Sequence, residues 1–237
     1  MSTYERIAHR IGEAASQALD LALPAVCAGC GREGRALCGE CEPAINLRAL
    51  RPPGLPIGMP GETPAPLAQV EWCSGFTGVT QRALHRLKYS GDRRLAVPLG
   101  RAVARRWAHA GAGGDVLVPV PASADRVRDR GYDQANLIAR AAGAELRLPV
   151  RLELLERTRR TAAQFDLDRA SRGRNVLGAF RIRPGSSLPR GSGPDGAPWI
   201  VLVDDVLTTG STLVACARVL LDAGAYAVSA VTVARER

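Results

Sequence analysis

Apolar and polar positions along this chain fall into blocks of two periods, one helical and one extended. Between residues 4 and 22, Ile7, Ile11, Ala14, Ala15, Ala18 and Leu21 recur at helical spacing, which predicts a short amphipathic helix used for packing or, as the alternative, for contact with a membrane surface. QRALHRLKYSGDRRLAVPLGRAVARRWAHA reads as two helices separated by a break at Ser90-Gly91-Asp92. DVLVPVP is a continuous apolar run ended by proline, the pattern of a parallel strand buried on both faces. YDQANLIARAAGAEL follows as a helix, RLELLER, GAFRI and WIVLVDD as strands, STLVACARVLLDAGA as a helix closed by Gly224, and AVSAVTVAR as a last strand. This alternation predicts an α/β fold with a mainly parallel sheet flanked by helices.

Three stretches break the alternation. LRALRPPGLPIGMPGETPAPLAQ has too many prolines and glycines to sustain a helix or a central strand, and reads as a linker or irregular loop. TRRTAAQFDLDRASRGRN is long and basic, and RPGSSLPRGSGPDGAP has the composition of a flexible surface loop. The expected organisation is a helix and cysteine module over residues 1–45, a Pro/Gly-rich linker over 46–69, and an α/β domain over 70–237.

The 237 residues, 46% of them hydrophobic, suffice for one sizeable core plus a small module. No segment is apolar for the roughly eighteen residues a membrane span needs, and the charged start does not make a convincing signal peptide, so the cytoplasm is the expected compartment. The net charge of +9 is carried almost wholly by arginine, since Lys88 is the only lysine. Arginine forks suit phosphate and therefore a polyanion or nucleic acid, but a genome-wide preference for arginine explains the excess equally well.

Four of the six cysteines stand in CAGCGREGRALCGEC. Cys27 and Cys30, then Cys38 and Cys41, make two CxxC pairs seven residues apart, and each pair can offer two thiolates to one tetrahedral ion. The spacing predicts a closed, structural zinc site of four protein ligands, a zinc-ribbon-like module whose folding depends on the metal. Cys73 and Cys216 stand apart and read as buried thiols.

The remaining signal is VLVDDVLTTGSTL. An apolar strand ends in Asp204 and Asp205, and Thr208, Thr209, Gly210, Ser211 and Thr212 then open a helix. Ligands of open α/β sheets bind at the carboxyl ends of strands, and a helix start offers unpaired N–H groups and a positive dipole end to an anion. Gly210 would let the backbone come close, and two carboxylates beside a phosphate cradle suit a ligand with hydroxyls next to its phosphate, such as a ribose 5-phosphate. The plainer alternative is a strand followed by an ordinary capped turn.

VLVDDVLTTGSTL resembles the phosphoribosyl-pyrophosphate motif of type I phosphoribosyltransferases. CAGC…CGEC, LKYSGD, VPVPASADRVRDRGYDQA, RTRRTAAQFDLDRASRGRNVLGAF and VLVDDVLTTGSTL, in that order, resemble the ComF family of phosphoribosyltransferase-like proteins, over nearly the whole chain from about Leu23. The resemblance implies a type I phosphoribosyltransferase fold and an enzyme that binds phosphoribosyl pyrophosphate with Mg2+, transferring the phosphoribosyl group to an unidentified acceptor. It implies that Asp204 and Asp205 bind the ribose hydroxyls as the catalytic acids, and that Thr208 to Thr212 hold the 5-phosphate. Pro121, Ala122 and Ser123 would bind pyrophosphate with Arg126 and Arg130 as nearby cations, and Lys88 is a further phosphate contact or merely a favourable charge at a helix end.

The basic stretch after Glu156 stands where such enzymes carry a hood that closes over the substrate and excludes water. Arg157, Thr161, Gln164, Arg172 and Asn175 match that pattern, with a solvated loop or a nucleic-acid contact as alternatives. Two residues depart from it. Thr208 occupies the position of an acid in purine-salvaging members and cannot serve as a base, which argues against ordinary purine salvage, and Asp133 stands where the family more often has Asn. The family association with DNA uptake in natural transformation implies nucleic acid or the uptake machinery as partners and leaves room for an oligomer. The alternative to an enzyme is a non-catalytic sensor of phosphoribosyl pyrophosphate or a nucleic-acid-associated accessory protein.

Overall fold

The structure, a computed structural model, describes residues 24–53, 64–158 and 178–236. The expected N-terminal helix and the hood candidates Thr161, Gln164, Arg172 and Asn175 lie outside the described residues.

Four strands form the main sheet: β1 (Val70–Gly75), β2 (Val116–Pro119), β5 (Trp199–Leu207) and β6 (Ala227–Arg235), in the order β1-β6-β5-β2 and parallel throughout. Among the described residues the α-helices are α1 (Gly78–Tyr89), α2 (Ala96–Ala110), α3 (Ala124–Arg130), α4 (Gln134–Leu146) and α5 (Ser211–Asp222). A separate antiparallel pair, β3 (Leu155–Arg157) with β4 (Phe180–Ile182), flanks the segment where the hood is expected. The α/β architecture with a parallel sheet therefore stands as the periodicities predicted.

Strand side chains alternate between faces, and β5 divides two cores accordingly. Val201 and Val203 pack with residues of α1, α2 and α4, whereas Ile200 and Leu202 pack with those of α5 and of the β3–β4 pair. All four are fully buried, which is why WIVLV is continuously apolar rather than alternating.

Three local features differ from the sequence expectation. β1 forms a strand where no strand pattern was legible, because its second residue is an acid: Glu71 is fully buried and is met by the equally buried Arg106 of α2 at 2.5 Å. Inside the expected pyrophosphate loop the chain turns through the short helix α3, with Ser123 as its N-cap. Finally, β5 runs through the acid pair to Leu207, paired with β6 to its end, while its pairing with β2 stops at Val203. The two acids are therefore inside the strand but beyond the end of its β2 neighbour.

The cysteine module belongs to the first core. Cys27, Leu37 and Ile45 are buried with Ala83, Leu84 and Leu87 of α1. The segment after it is drawn in by Arg106, which donates to the carbonyls of Arg48, Arg51 and Pro52 as well as to Glu71. Arg48 also lies over the Trp72 ring, 3.8 Å from its centroid.

Candidate functional site

Adjacent residues of a strand point to opposite faces, so Asp204 and Asp205 cannot have the same surroundings. Asp205 falls on the face of Val201 and Val203, toward α1 and α4. One oxygen, Oδ2, receives both Lys88 Nζ at 2.7 Å and Gln134 Nε2 at 3.0 Å. Gln134 is oriented in turn by Arg130, whose Nη1 donates to its Oε1 at 2.9 Å. Asp205 is 6% exposed.

Asp204 falls on the α5 face, is partly exposed, and accepts the backbone N–H of Asp205 at 2.8 Å. Close packing, followed by the charge of Asp205, raises its carboxyl well above the usual carboxylate range; the Asp205 N–H and the Lys88 ammonium work against the shift.

After Leu207 the chain leaves the sheet. Thr208 and Thr209 are exposed, and Gly210 turns the backbone into α5 with φ 78, in the left-handed region, buried near Pro64 and Leu207. Only glycine takes that conformation without strain. Thr209 Oγ1 and Ser211 Oγ lie 2.8 Å apart, and Ser211 N–H points to Thr209 Oγ1 at 3.4 Å. Gly210 itself has no side chain to cap α5, and Thr209 Oγ1 meets only the first N–H of the helix start.

The loop after β2 lies beside this unit, because β2 and β5 are parallel neighbours. Its backbone is partly committed: Ala122 N–H donates to Asp133 Oδ2 at 2.8 Å, while Asp133 Oδ1 caps α4 through Ala135 and Asn136. Asp133 thus joins the loop to the helix. Burial raises its pKa, against the three N–H groups that lower it. Ser123 accepts Arg126 N–H, and the Arg126 side chain is exposed. Lys88, Tyr89, Arg126 and Arg130 line a cleft of about 440 Å³, with Arg130 5.1 Å from the Tyr89 ring centroid. Pro121, Ala122, Asp133 and Arg157 line a larger one of about 880 Å³.

The structure therefore gathers Lys88, Asp205 and Arg130 into one hydrogen-bonded chain. Its middle member, Gln134, was not singled out from the sequence; its only signal there is its place directly after the helix cap in RGYDQA. The other expected contacts follow neighbouring parallel strands, Thr208 to Gly210 in the loop and Ser211 and Thr212 in the first turn of α5, and Pro121 to Ser123 in the loop after β2.

At the other end of α1, the four Sγ atoms of Cys27, Cys30, Cys38 and Cys41 lie within 4.8 Å of one another, and Cys38 is 3.6 Å from both Cys27 and Cys30. A zinc ion bound to four sulfurs at about 2.3 Å requires sulfur pairs about 3.8 Å apart, so the cluster fits this metal. Gly29 makes the approach possible, because a Cβ on it would lie 2.4 Å from Cys41 Sγ. Burial pushes the Cys27 thiol up, but the N–H groups of Cys30, Cys38 and Gly29 outweigh it and bring its pKa down to about 6, a value suited to a thiolate ligand.

No family model matches the chain. The DNA utilization protein YhgH of Escherichia coli strain K12 is 31% identical over 209 residues, 86% of each chain. The competence protein ComFC of Streptococcus pneumoniae strain R6 is 29% identical over 178 residues, 69% of this chain and 72% of that one. This chain belongs to the ComF family.

Among solved structures, the ComF chain is similar to the glutamine phosphoribosylpyrophosphate amidotransferase of B. subtilis complexed with ADP and GMP. The TM-score is 0.41 at 18% identity, over 64% of this chain and only 30% of that one. It is also similar to the adenine phosphoribosyltransferase of Leishmania tarentolae, with a TM-score of 0.36 at 17% identity, over 60% of this chain and 57% of that one. Among the described residues, no helix is long and apolar enough to cross a membrane.

Proposed function

We propose that this ComF protein binds phosphoribosyl pyrophosphate with Mg2+ at the carboxyl end of β5 and transfers the phosphoribosyl group to an acceptor nucleophile. One observation carries the reading: a single strand-loop-helix unit presents two acids, then exposed Thr208 and Thr209, then Gly210 at φ 78 at the start of α5. The first N–H groups of α5 and the hydroxyls of Thr208, Thr209, Ser211 and Thr212 hold the 5-phosphate. Asp204 accepts from the ribose hydroxyls, and Asp205 keeps Lys88 and Gln134 in place beside it.

The carboxylates are hard oxygen donors of the kind Mg2+ prefers, and Asp204 would hold the ion together with the ligand's own oxygens. The chemistry such an ion would supply when bound is positive charge beside the pyrophosphate. Arg126 and Arg130 add to that charge from the α3 side, with Pro121, Ala122 and Ser123 forming the loop beneath. In the transfer, the bond from the anomeric carbon to pyrophosphate breaks and its electron pair leaves with the pyrophosphate. The acceptor's lone pair forms the new bond, and its proton passes to the pyrophosphate or to water. Thr208 offers no base where purine-salvaging transferases have an acid, which argues against an ordinary purine acceptor. Arg157 and the hood residues Thr161, Gln164, Arg172 and Asn175 exclude water from the ribose carbon.

In this reading, residues 1–45 form the metal module with zinc on Cys27, Cys30, Cys38 and Cys41, residues 46–69 connect it, and residues 70–237 form the transferase domain. A role in DNA use is supported by the names of the relatives, a DNA utilization protein and a competence protein, and by the arginine-borne charge of +9. The test is pyrophosphate release from phosphoribosyl pyrophosphate across a panel of amine, thiol and heterocyclic nucleophiles. Release that disappears in Asp204→Asn/Asp205→Asn supports the enzyme. Tight binding with no release across the panel points instead to a sensor, and DNA binding that falls steeply with salt but survives the double substitution points to an accessory protein.

A further inference from the structure

Helix α1 touches both of the chemical sites. Near its start, Arg82 donates from Nε to Ala28 O at 3.1 Å and from Nη2 to Gly29 O at 3.0 Å, a two-pronged grip on the turn between Cys27 and Cys30. Val79 packs on the same turn, since a Cβ on Gly29 would lie 3.3 Å from its Cγ1, and Thr80 Oγ1 donates to Ala44 O at 3.4 Å. In its last turn, Lys88 reaches Asp205 at 2.7 Å. Arg82 and Lys88 stand six positions apart, about 9 Å along one continuous helix. The apolar face between them, Ala83, Leu84 and Leu87, is fully buried in the core that also holds Cys27, Leu37 and Ile45.

We infer that the cysteine module positions the acid site: by gripping α1 through Arg82, it sets where the Lys88 ammonium stands and so keeps Asp205 paired. Arg82 is then a positioning residue acting through the helix, and the module is more than a local staple. The inference concerns the geometry of the acid pair and stands apart from what that pair binds. The far end of α1 has its own support, since the Tyr132 hydroxyl donates to Leu87 O and Arg86 pairs with Asp92 at 2.6 Å. The effect of losing the grip is therefore a loosening of Lys88 rather than its release.

Because Lys88 is the only lysine, its accessibility can be read directly. The experiment is timed amine labelling of the full chain purified with zinc, the Lys88 peptide being resolved from the N-terminus by mass. Thiol labelling of Cys216, fully buried in the opposite core, is followed in parallel as a report on global opening. Arg82→Gln is expected to raise the Lys88 labelling rate by about tenfold or more, the factor that goes with losing a hydrogen bond from a charged group, with Cys216 still protected. Gly29→Ala, which forces the knuckle apart at Cys41, is expected to do the same. Arg105→Gln removes the exposed ion pair of α2 with Glu42 on the same module, 2.7 Å in length, without touching α1, and is expected to leave Lys88 unchanged. Three results would overturn the inference: an unchanged Lys88 rate in Arg82→Gln, a rise in Cys216 labelling that keeps step with Lys88, or an equal rise in Arg105→Gln.

Discussion

Lys88 Nζ stands 2.7 Å from Asp205 Oδ2, joining the last turn of α1 to the strand that carries the acid pair, with side chains only 15% and 9% exposed. Removing one partner of so enclosed a pair leaves the other charge with poor solvation. Lys88→Met should cost about 2–4 kcal/mol of stability in urea unfolding, since Gln134 alone cannot replace the ammonium. Adding Asp205→Asn to it should cost clearly less than the sum of the two single changes, because the second removes the charge that the first left stranded.

Arg106 and Glu71 form the more deeply buried pair, both fully inaccessible to solvent. Arg106→Met leaves the buried Glu71 carboxylate only the longer Arg48 contact at 3.5 Å and the Gln69 amide at 3.0 Å, and also frees the carbonyls of Arg48, Arg51 and Pro52. The expected loss is about 3–5 kcal/mol. Hydrogen exchange should show faster opening of residues 46–53 than of β5, because that segment has no sheet of its own to hold it.

Asp204 carries a sign that can be checked. Its carboxyl is held above the usual range by burial and by Asp205, so at pH values between the ordinary carboxylate range and the raised one the folded state keeps a proton that the unfolded state has released. Stability should therefore fall as pH rises from the ordinary carboxylate range toward the raised value in the fold. Asp204→Asn removes this penalty and is expected to stabilise the protein by roughly 0.5–2 kcal/mol at neutral pH while weakening ligand binding. Melting temperatures at pH 4 and pH 8 decide it: the gain of the variant over the parent should be larger at pH 8.

The cysteine module should hold one zinc per chain. Cys38→Ser removes the sulfur that sits 3.6 Å from both Cys27 and Cys30, and Gly29→Ala drives a methyl group to 2.4 Å from Cys41 Sγ. Both are expected to lose bound zinc in metal analysis. Acidification should release it from the parent protein, since the ligands are thiolates.

The legible parts of this chain are those whose chemistry is local. The WIVLVDD strand, the Thr-Gly-Ser opening of α5 and the two CxxC turns are each written within about a dozen residues, and period or spacing suffices to read them. β1 was not legible because Glu71 breaks its apolar run, and the partner that makes this tolerable, Arg106, is 35 residues away on a helix. Gln134 was missed for the same reason: it reaches Asp205 across 71 residues. Adjacent acids in sequence suggest a shared task, yet strand geometry turns them to opposite faces and gives them different partners. That division follows from the period of a strand once β5 is seen to continue through both acids to Leu207.

The most direct test of the central claim is calorimetric titration of the zinc-loaded protein with phosphoribosyl pyrophosphate and Mg2+, beside Asp204→Asn/Asp205→Asn. The expected result is saturable binding by the parent protein and its loss in the variant, with the fold of the variant intact by circular dichroism. Absence of binding by the parent protein, or equal binding by both, would contradict it.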